Sequence, residues 1–389
     1  MLSFIGHKGN CTGCSSCMAA CPVHCISMKV DEEGFWYPES SDLCIECGMC
    51  EKVCPVINHA EVENKGKHNS YAYLSYDKEI WQRSASGGAF SDICKAWGDT
   101  ETIIVGAAWD GLRVHQVCVK GVENIAPLCK SKYVASFPED TFSEIKQYLI
   151  AGKKVIFCGT PCQVSGLKLF LRKNYENLLT IDLICHGIGS PMVFQECMQF
   201  LENKYHDEVI EYTFRAKRNN KYEQDYLTFI RLKNKALYIK NDIYTSLFLR
   251  QLCLRPSCGS HCKFRNENRQ GDITIADYKG LLEYFPEFKK YNHNFSSVIT
   301  NNRKGEEMII NLDKSGILRE CPIDNIKKHN PLFYRHTWFA VDRDKFFALF
   351  INNPQKALKD WEDKKTFKQI IIEYMPKPLL SFLLRVLKK

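Results

Sequence analysis

The sequence has few of the features that mark an exported, membrane-spanning or nucleic-acid-binding protein. Residues 1–10 contain neither a basic stretch nor a long apolar core, so we expect no secretory signal peptide and a cytoplasmic location. The basic and apolar stretch 378–389 is far shorter than the roughly 20 residues of a membrane-spanning helix. Aromatic residues do not alternate with basic residues along one face, which argues against a nucleic-acid partner.

Motifs of hydrolases and nucleotide-binding enzymes are also missing. The chain has no Ser/His/Asp arrangement, no metalloprotease helix and no P-loop. Its 389 residues are enough for two or three domains, and 45% of them are hydrophobic, as in a globular protein with a sizeable core. The net charge of +8 includes a local cluster at Arg215, Lys217, Arg218 and Lys221, which we interpret as a solvated basic surface. Such a surface could attract an acidic electron-transfer partner or an anionic cofactor.

Cysteine, by contrast, is abundant, with 20 residues. In a chain without an export signal, cysteines are more typical of metal or redox ligands than of disulfides. Eight of them form two copies of the pattern C-x2-C-x2-C-x3-C-P, which is the spacing of bacterial ferredoxins that bind 4Fe-4S clusters. The first copy contains Cys11, Cys14, Cys17 and Cys21, and the second contains Cys44, Cys47, Cys50 and Cys54.

The pattern predicts which cysteines share a cluster. Three cysteines of a copy contact one cluster, and the fourth lies on the following helical turn and reaches the other cluster. We therefore predict a first cluster site at Cys11, Cys14, Cys17 and Cys54, and a second cluster site at Cys44, Cys47, Cys50 and Cys21. Gly13 and Gly48 allow backbone N–H groups to approach the sulfurs. Two zinc sites are the alternative, but zinc ligands usually come as separated pairs.

The residues between and after the two copies predict a hairpin and a linker. Strand-like residues 26–30 and 35–38 flank a turn. Cys25 and His24 lie outside the ligand pattern, and we interpret them as packing residues. Residues 59–70 are polar and show no apolar periodicity, which predicts a linker.

Beyond residue 70, apolar strands alternate with helices, which predicts a sheet with parallel strands. The strands at 154–157 and 178–184 are each followed by a loop and a helix. Chemistry in such sheets lies at the carboxyl ends of the strands, where Cys162 and Cys185 stand beside glycines. The predicted fold class is therefore α+β, with a two-cluster ferredoxin-like domain followed by a mixed α/β catalytic domain.

A further candidate site is the sequence Ser86-Gly87-Gly88, which precedes an apolar helix from Ala89 to about Trp97. The start of such a helix has free N–H groups and the positive end of the helix dipole, which together can bind a phosphate group. An ordinary helix start is the alternative, since many helices begin with serine and glycine.

Together, these motifs resemble those of a known family. They are the double cysteine run at 11–55, SASGG at 84–88, SKY at 131–133, GTPCQ at 159–163, CHG at 185–187, RPSC at 255–258 and DITIAD at 272–277. In this order they resemble the beta subunit of coenzyme F-420-reducing hydrogenases and dehydrogenases, whose coenzyme is an 8-hydroxy-5-deazaflavin. The resemblance implies an iron–sulfur flavoprotein whose catalytic domain binds FAD and its own 4Fe-4S cluster.

The resemblance also implies individual residues. A third cluster site would consist of Cys162, Cys185, Cys258 and Cys262, although Cys258 and Cys262 are separated by three residues where the family has two. Cys253 and Cys158 are alternative ligands, and burial of these thiols in a core is the alternative to a cluster. The flavin would bind to Ser84, Ser86, Gly87, Gly88, Lys130, Lys132 and Tyr133, with its pyrophosphate on the N–H groups and the lysines. His186 is a candidate proton donor, with a hydrogen bond to a backbone carbonyl as its alternative role.

A flavin beside a chain of clusters converts between two-electron and one-electron chemistry. We therefore predict an oxidoreductase that couples one-electron transfer through 4Fe-4S clusters to two-electron chemistry at FAD, with a small-molecule or deazaflavin-type substrate. The alternative is a subunit that relays electrons to a partner enzyme, for instance in surface-polysaccharide biosynthesis. A third hypothesis is a family member that has lost the flavin. The expected macromolecular partner is an electron donor or acceptor protein or subunit.

The predicted domains are a two-cluster ferredoxin domain at 1–58, the linker at 59–70, a flavin- and cluster-binding domain at 71–300 and a helical C-terminal extension at 301–389. Within this extension, residues 378–389 predict a helix that docks on the protein, with weak membrane-surface contact as the alternative.

Overall fold

A computed structural model describes residues 2, 5–137, 139–217, 227–259, 262–291, 293–334 and 342–362. Over these ranges, no helix is both long and apolar enough to cross a membrane. The aromatic pair at 338–339 and the stretch 378–389 lie outside the described residues.

The two cysteine runs flank a small antiparallel hairpin, as predicted. Its strands pair in register from Ile26 opposite Ser40 to Val30 opposite Trp36, and Gly34 adopts a φ of 85° in the turn. Each run continues into short helices. The elements of this region are α1 (Ser16–Ala19), β1 (Ile26–Val30), β2 (Trp36–Ser40), α2 (Met49–Lys52) and α3 (Pro55–Asn58).

Beyond these elements, the described residues are built on an eight-stranded mixed sheet. Its strands are β3 (Asn69–Ser75), β4 (Ile103–Asp110), β5 (Arg113–Lys120), β6 (Val155–Cys158), β7 (Leu178–Leu183), β11 (Ile273–Asp277), β12 (Ser296–Thr300) and β13 (Gly316–Cys321). Their order in the sheet is β13-β3-β12-β11-β7-β6-β4-β5. The central neighbours β4, β6, β7 and β11 are parallel, and the outer pairs are antiparallel. A separate antiparallel sheet consists of β8 (Val209–Thr213), β9 (Leu227–Leu232) and β10 (Ala236–Lys240).

Helices cover the sheet and begin where the sequence provides caps. At the helix that starts with Pro161, Thr160 and Gln163 form a reciprocal capping box, and the proline occupies the first turn. Before the following helix, the Ser190 hydroxyl accepts a hydrogen bond from the N–H of Val193. The helices are α4 (Lys78–Arg83), α5 (Ala89–Trp97), α6 (Thr141–Ile150), α7 (Pro161–Leu171), α8 (Pro191–Tyr205), α9 (Ile243–Leu249), α10 (Leu281–Tyr284), α11 (Arg303–Leu312), α12 (Ile323–His329), α13 (Arg343–Asn352) and α14 (Pro354–Trp361).

The hairpin region packs directly on the sheet domain. Phe35 and Tyr37 share one hydrophobic core with Phe194, Tyr244 and Phe248. At the hairpin tip, the Ser190 hydroxyl donates a hydrogen bond of 2.5 Å to the carbonyl oxygen of Glu33. This shared core holds the cysteine runs against the carboxyl ends of the parallel strands.

The α+β class and the mixed sheet that follows a ferredoxin-like region are confirmed. The structure differs from the sequence prediction at 301–389, because β13 pairs with β3 at the edge of the main sheet. Residues in the predicted linker contact the sheet domain, since the side-chain amide of Asn64 donates to the carbonyl oxygens of Arg269 and Gly271. The division into domains stays a prediction.

Candidate functional site

A cavity of about 390 Å³ lies at the carboxyl ends of the parallel strands β6, β7 and β11. It brings together segments that are far apart in the sequence. Most of its wall comes from residues 12–13, 84–86, 88–90, 128–136, 158–160, 162–163, 183–188, 275–277 and 330–332. The cavity wall therefore contains the helix start predicted to bind phosphate, two of the predicted third-cluster cysteines and a loop of the first cysteine run.

The four predicted thiols of the third cluster site are neighbours. Burial raises the pKa of the Cys162 thiol well above its usual range, and the charges of Cys185, Cys258 and Cys262 raise it further. Four buried thiolates repel one another unless a positively charged group lies between them. The arrangement therefore fits an iron–sulfur cluster, which needs four thiolates around one centre.

The two alternative ligands differ in their surroundings. Cys253 is fully buried among apolar residues, and Tyr244 and Cys197 lie nearby. Cys158 ends β6 and lines the cavity, where burial, Asp182 and Cys129 raise the pKa of its thiol to about 12. The charges of Cys185, Cys258 and Cys262 act on the Cys162 thiol, and Cys262 stays the predicted fourth ligand.

The predicted phosphate-binding loop lies directly before α5. The Ser84 and Ser86 hydroxyls donate to the carbonyl oxygens of Ile80 and Phe295, at 2.6 and 2.8 Å. Gly87 packs so closely against backbone atoms of β3 that a side chain would not fit. The serines therefore hold the loop in place. The first-turn N–H groups of a helix have no acceptor within it, and phosphate binding at this position stays a prediction.

The two predicted lysines have different roles. The Lys132 ammonium donates to the carbonyl oxygens of Pro127 and Cys129, at 2.8 and 2.7 Å, so it holds its own loop together. For Lys130, no hydrogen bond or ion pair occurs within the described ranges, and its backbone φ is 65°. An unpaired ammonium in a cavity wall suits an anionic group. Next to it, the Tyr133 ring stacks on Phe248 with centroids 4.7 Å apart.

From the sequence alone, the basic residues around position 215 are interpreted as a solvated surface. This interpretation is wrong for Arg215 and Lys217, the two members of the group that the structure describes. Arg215 forms a bidentate ion pair with Asp277 at the end of β11, at 2.7 and 3.1 Å. Burial alone would raise the pKa of Asp277, but the Arg215 guanidinium outweighs it and holds this pKa below its usual value. Lys217 is buried, donates to the carbonyl oxygens of Trp81 and Ser86, and lies over the Trp81 ring. Arg218 and Lys221 lie outside the described residues.

Sequence reasoning did not find Asp277 and Arg215 as a cavity pair, since the two residues are 62 positions apart. The acidic end of the segment at 272–277 is the one signal that could have pointed to this pair.

His186 lines the cavity beside the third cluster site. Its Nε2 lies 3.3 Å from the carbonyl oxygen of Phe248, which is the contact that the non-catalytic interpretation expects. Burial, followed by the charge of Arg265, lowers the pKa of His186 to about 4, so the ring is neutral near pH 7. Its role as a proton donor stays a prediction.

In the ferredoxin-like region, the four thiols of the first cluster site line one small cavity together with apolar residues such as Ile5 and Met28. Burial raises the pKa of Cys17 well above its usual range, and the thiols of Cys14, Cys11 and Cys54 add to this effect. This is the set that the sequence pattern predicts, including the fourth cysteine from the second run.

The second cluster site lies nearer the surface, because Cys44 and Cys47 are exposed. The charges of Cys44 and Cys47 both act on Cys50, whose pKa is raised mainly by burial. Cys25 is buried, and its Sγ lies 3.4 Å from the Sγ of Cys21. Cys21 thus contacts a thiol that the ferredoxin pattern does not include.

Across the described residues, no three His, Cys, Asp or Glu side chains are close enough to share one metal ion. Sulfur ligands of zinc lie about 2.3 Å from a single ion. The preference for clusters over the zinc alternative rests on the cysteine spacing in the sequence.

Comparison with known proteins agrees with the motifs. A model of the C-terminal part of the coenzyme F420 hydrogenase/dehydrogenase beta subunit matches residues 152–326, and a "4Fe-4S dicluster domain" model matches residues 10–58. The chain is 21% identical over 210 residues to the F subunit of F(420)H(2) dehydrogenase in Methanosarcina mazei, covering 49% of this chain and 58% of the relative. It is 48% identical over 42 residues to a 7Fe ferredoxin from Hydrogenibacillus schlegelii, covering 11% of this chain and 49% of that ferredoxin. The chain thus spans about half the length of these curated relatives.

A more distant likeness is to the F420-reducing [NiFe] hydrogenase complex from Methanosarcina barkeri, solved as a xenon derivative. The TM-score is 0.44 with 16% identity, and the match covers 77% of this chain and 93% of that one. The resemblance predicted from the motifs is therefore confirmed over residues 152–326, which match the beta-subunit model, and residues 10–58 match a 4Fe-4S dicluster domain.

Proposed function

We propose that this protein is an iron–sulfur flavoprotein oxidoreductase with three 4Fe-4S clusters and one FAD, acting on a small molecule or a deazaflavin. The observation that carries the proposal is the composition of the cavity. Its wall contains thiols of the third cluster site, the first turn of α5 and a loop from the first cysteine run. When bound, a flavin exchanges two electrons with a small molecule and single electrons with clusters.

The residues of the cavity fit such a cofactor. Lys130 and the N–H groups at the start of α5 would bind its phosphates. Lys130 supplies positive charge and has no hydrogen-bond or ion-pair partner among the described residues, and the first-turn N–H groups of a helix have no acceptor within the helix. The ion pair between Arg215 and Asp277 closes one side of the cavity and holds the arginine in place. The third cluster would be held by Cys162, Cys185, Cys258 and Cys262.

Exposure of the second cluster site supports an electron-transfer partner. Cys44 and Cys47 are exposed, and the neighbouring side chains of Leu43 and Ile45 are 71% and 61% exposed. Exposed apolar side chains beside a redox centre are suited to a short-lived protein contact. This observation also favours a second candidate function, in which the chain only relays electrons to a partner enzyme.

Anaerobic purification with iron, sulfide and flavin determination tests the proposal. We expect about twelve irons and one FAD per chain, since each of the three sites holds four irons. Cys262→Ser should lose about four irons, whereas the matched variant Cys253→Ser should lose none, because Cys253 lies in the apolar core. About eight irons and no flavin in the unaltered protein would contradict the proposal and favour the relay.

A further inference from the structure

Arg255 is a buried arginine at the boundary between the cysteine runs and the sheet domain. Its side chain is 1% exposed. Its Nε donates to the carbonyl oxygen of Cys11 at 2.7 Å, and its Nη2 donates to the carbonyl oxygen of Trp36 at 2.9 Å. The guanidinium carbon lies 4.2 Å from the centre of the Tyr37 ring. These contacts hold one end of the side chain against the first cluster site.

The other end of the same segment belongs to the third cluster site. Arg255 begins the short helical turn that contains Cys258, and the N–H of Cys258 donates to the carbonyl oxygen of Arg255 at 2.9 Å. Arg255 also lines the cavity whose wall contains Cys162 and Cys185 together with the loop at 12–13 of the first cysteine run. The arginine therefore lies between the two sites.

No carboxylate balances the charge of Arg255 within the described part of the chain. Two other buried arginines differ, because Arg343 pairs with Glu33 and Arg269 pairs with Asp182. A buried guanidinium without an anionic partner is unfavourable unless nearby negative charge compensates it. Thiolate-ligated clusters would supply that charge on both sides.

We propose that Arg255 is a positioning residue for electron transfer between the first and third cluster sites, and that its charge raises the reduction potentials of both. The proposal rests on the proposed function, because it requires a third cluster. In the transfer, one electron leaves one cluster and enters the other, so that no bond or proton changes place. A fixed positive charge next to both ligand sets favours the reduced form of each cluster, and charges and hydrogen bonds near the sulfurs are known determinants of such potentials.

The test is an EPR-monitored redox titration of the anaerobically purified full-length protein. In Arg255→Met, the reduction equilibria of the first and third clusters should shift toward the oxidised form by about tenfold, or about 59 mV for one electron. The second cluster should keep its potential, since Arg255 contacts none of its ligands. Its EPR signal is identified as the one that the Cys50→Ser variant lacks. Arg255→Lys keeps the charge and should shift the equilibria by less than about threefold.

A merely structural role would leave the potentials unchanged, so unaltered potentials in an Arg255→Met protein with all clusters assembled would overturn the proposal. An equal shift in the Lys and Met variants would also overturn it, because charge would then not be the cause. If Arg255→Met does not assemble, Arg255→Gln is judged by the same criteria. Failure of the proposed function is recognised by a different measurement, because the unaltered protein would then contain only about eight irons.

Discussion

Each of the two ferredoxin repeats contains a glycine with a left-handed backbone, and comparing the two glycines tests how the first cluster site is packed. Gly13 precedes the second cysteine of its run and Gly48 follows the second cysteine of its own, yet both adopt a left-handed φ, of 70° and 68°. A β-carbon at Gly48 would meet nothing within 4 Å, whereas one at Gly13 would lie 2.9 Å from Nη1 and 3.1 Å from Cζ of Arg255. The two positions thus share the same backbone requirement and differ in the space available.

We expect Gly13→Ala to destabilise the protein more than Gly48→Ala. Both variants place alanine in the left-handed region, which costs about 1–2 kcal/mol. Only Gly13→Ala must also move the Arg255 guanidinium, which is buried and held by the carbonyl oxygens of Cys11 and Trp36. Overpacking of this kind adds about 1–3 kcal/mol, which is therefore the expected difference between the variants.

The assay is anaerobic thermal unfolding at one scan rate, followed by circular dichroism and by cluster absorbance. Apparent midpoints are compared between the variants only, because a chain with bound cofactors need not unfold in one step. Equal midpoints for Gly13→Ala and Gly48→Ala would refute the reasoning, since they would mean that Arg255 yields to a methyl group without cost.

Two other predictions follow from pairs of residues in the structure. Asp277→Asn removes the carboxylate partner of Arg215 and should destabilise the protein by about 3–5 kcal/mol at neutral pH, seen as a lower apparent midpoint in urea unfolding. The pKa of Asp277 is lowered in the folded protein, so the ion pair contributes its full stability above the pKa that Asp277 has in the unfolded chain. This contribution is lost as the pH falls through the folded-state pKa. The unaltered protein and Asp277→Asn should therefore converge in stability at acidic pH. Cys25→Ser should retain the full iron content, whereas Cys21→Ser should lose about four irons by colorimetric assay; iron loss in both would make Cys25 a ligand.

Local spacing in the sequence determines much of the ferredoxin-like region. Cysteines with two residues between them can reach one centre independently of the rest of the chain. The first cluster site could therefore be predicted from the pattern, together with its distant member Cys54. The helix α5 and the strands β6 and β7 were predictable for a similar reason. Glycines, prolines and apolar runs mark their limits within a few neighbouring residues.

What the tertiary structure alone decided is the environment of charged side chains. Arg215 and Lys217 appear in the sequence as part of a basic surface, but the fold buries Lys217 and partly buries Arg215, which pairs with Asp277 at the end of β11. Arg255 belongs to a motif that the sequence reveals, yet its place beside Cys11 depends on packing between segments 244 positions apart.

The physical reason is the range of the forces involved. Turn conformation, helix capping and ligand spacing act over a few residues and leave a pattern in the sequence. Burial and the pairing of charges depend on which distant segments share a core, and a single sequence carries no direct record of that.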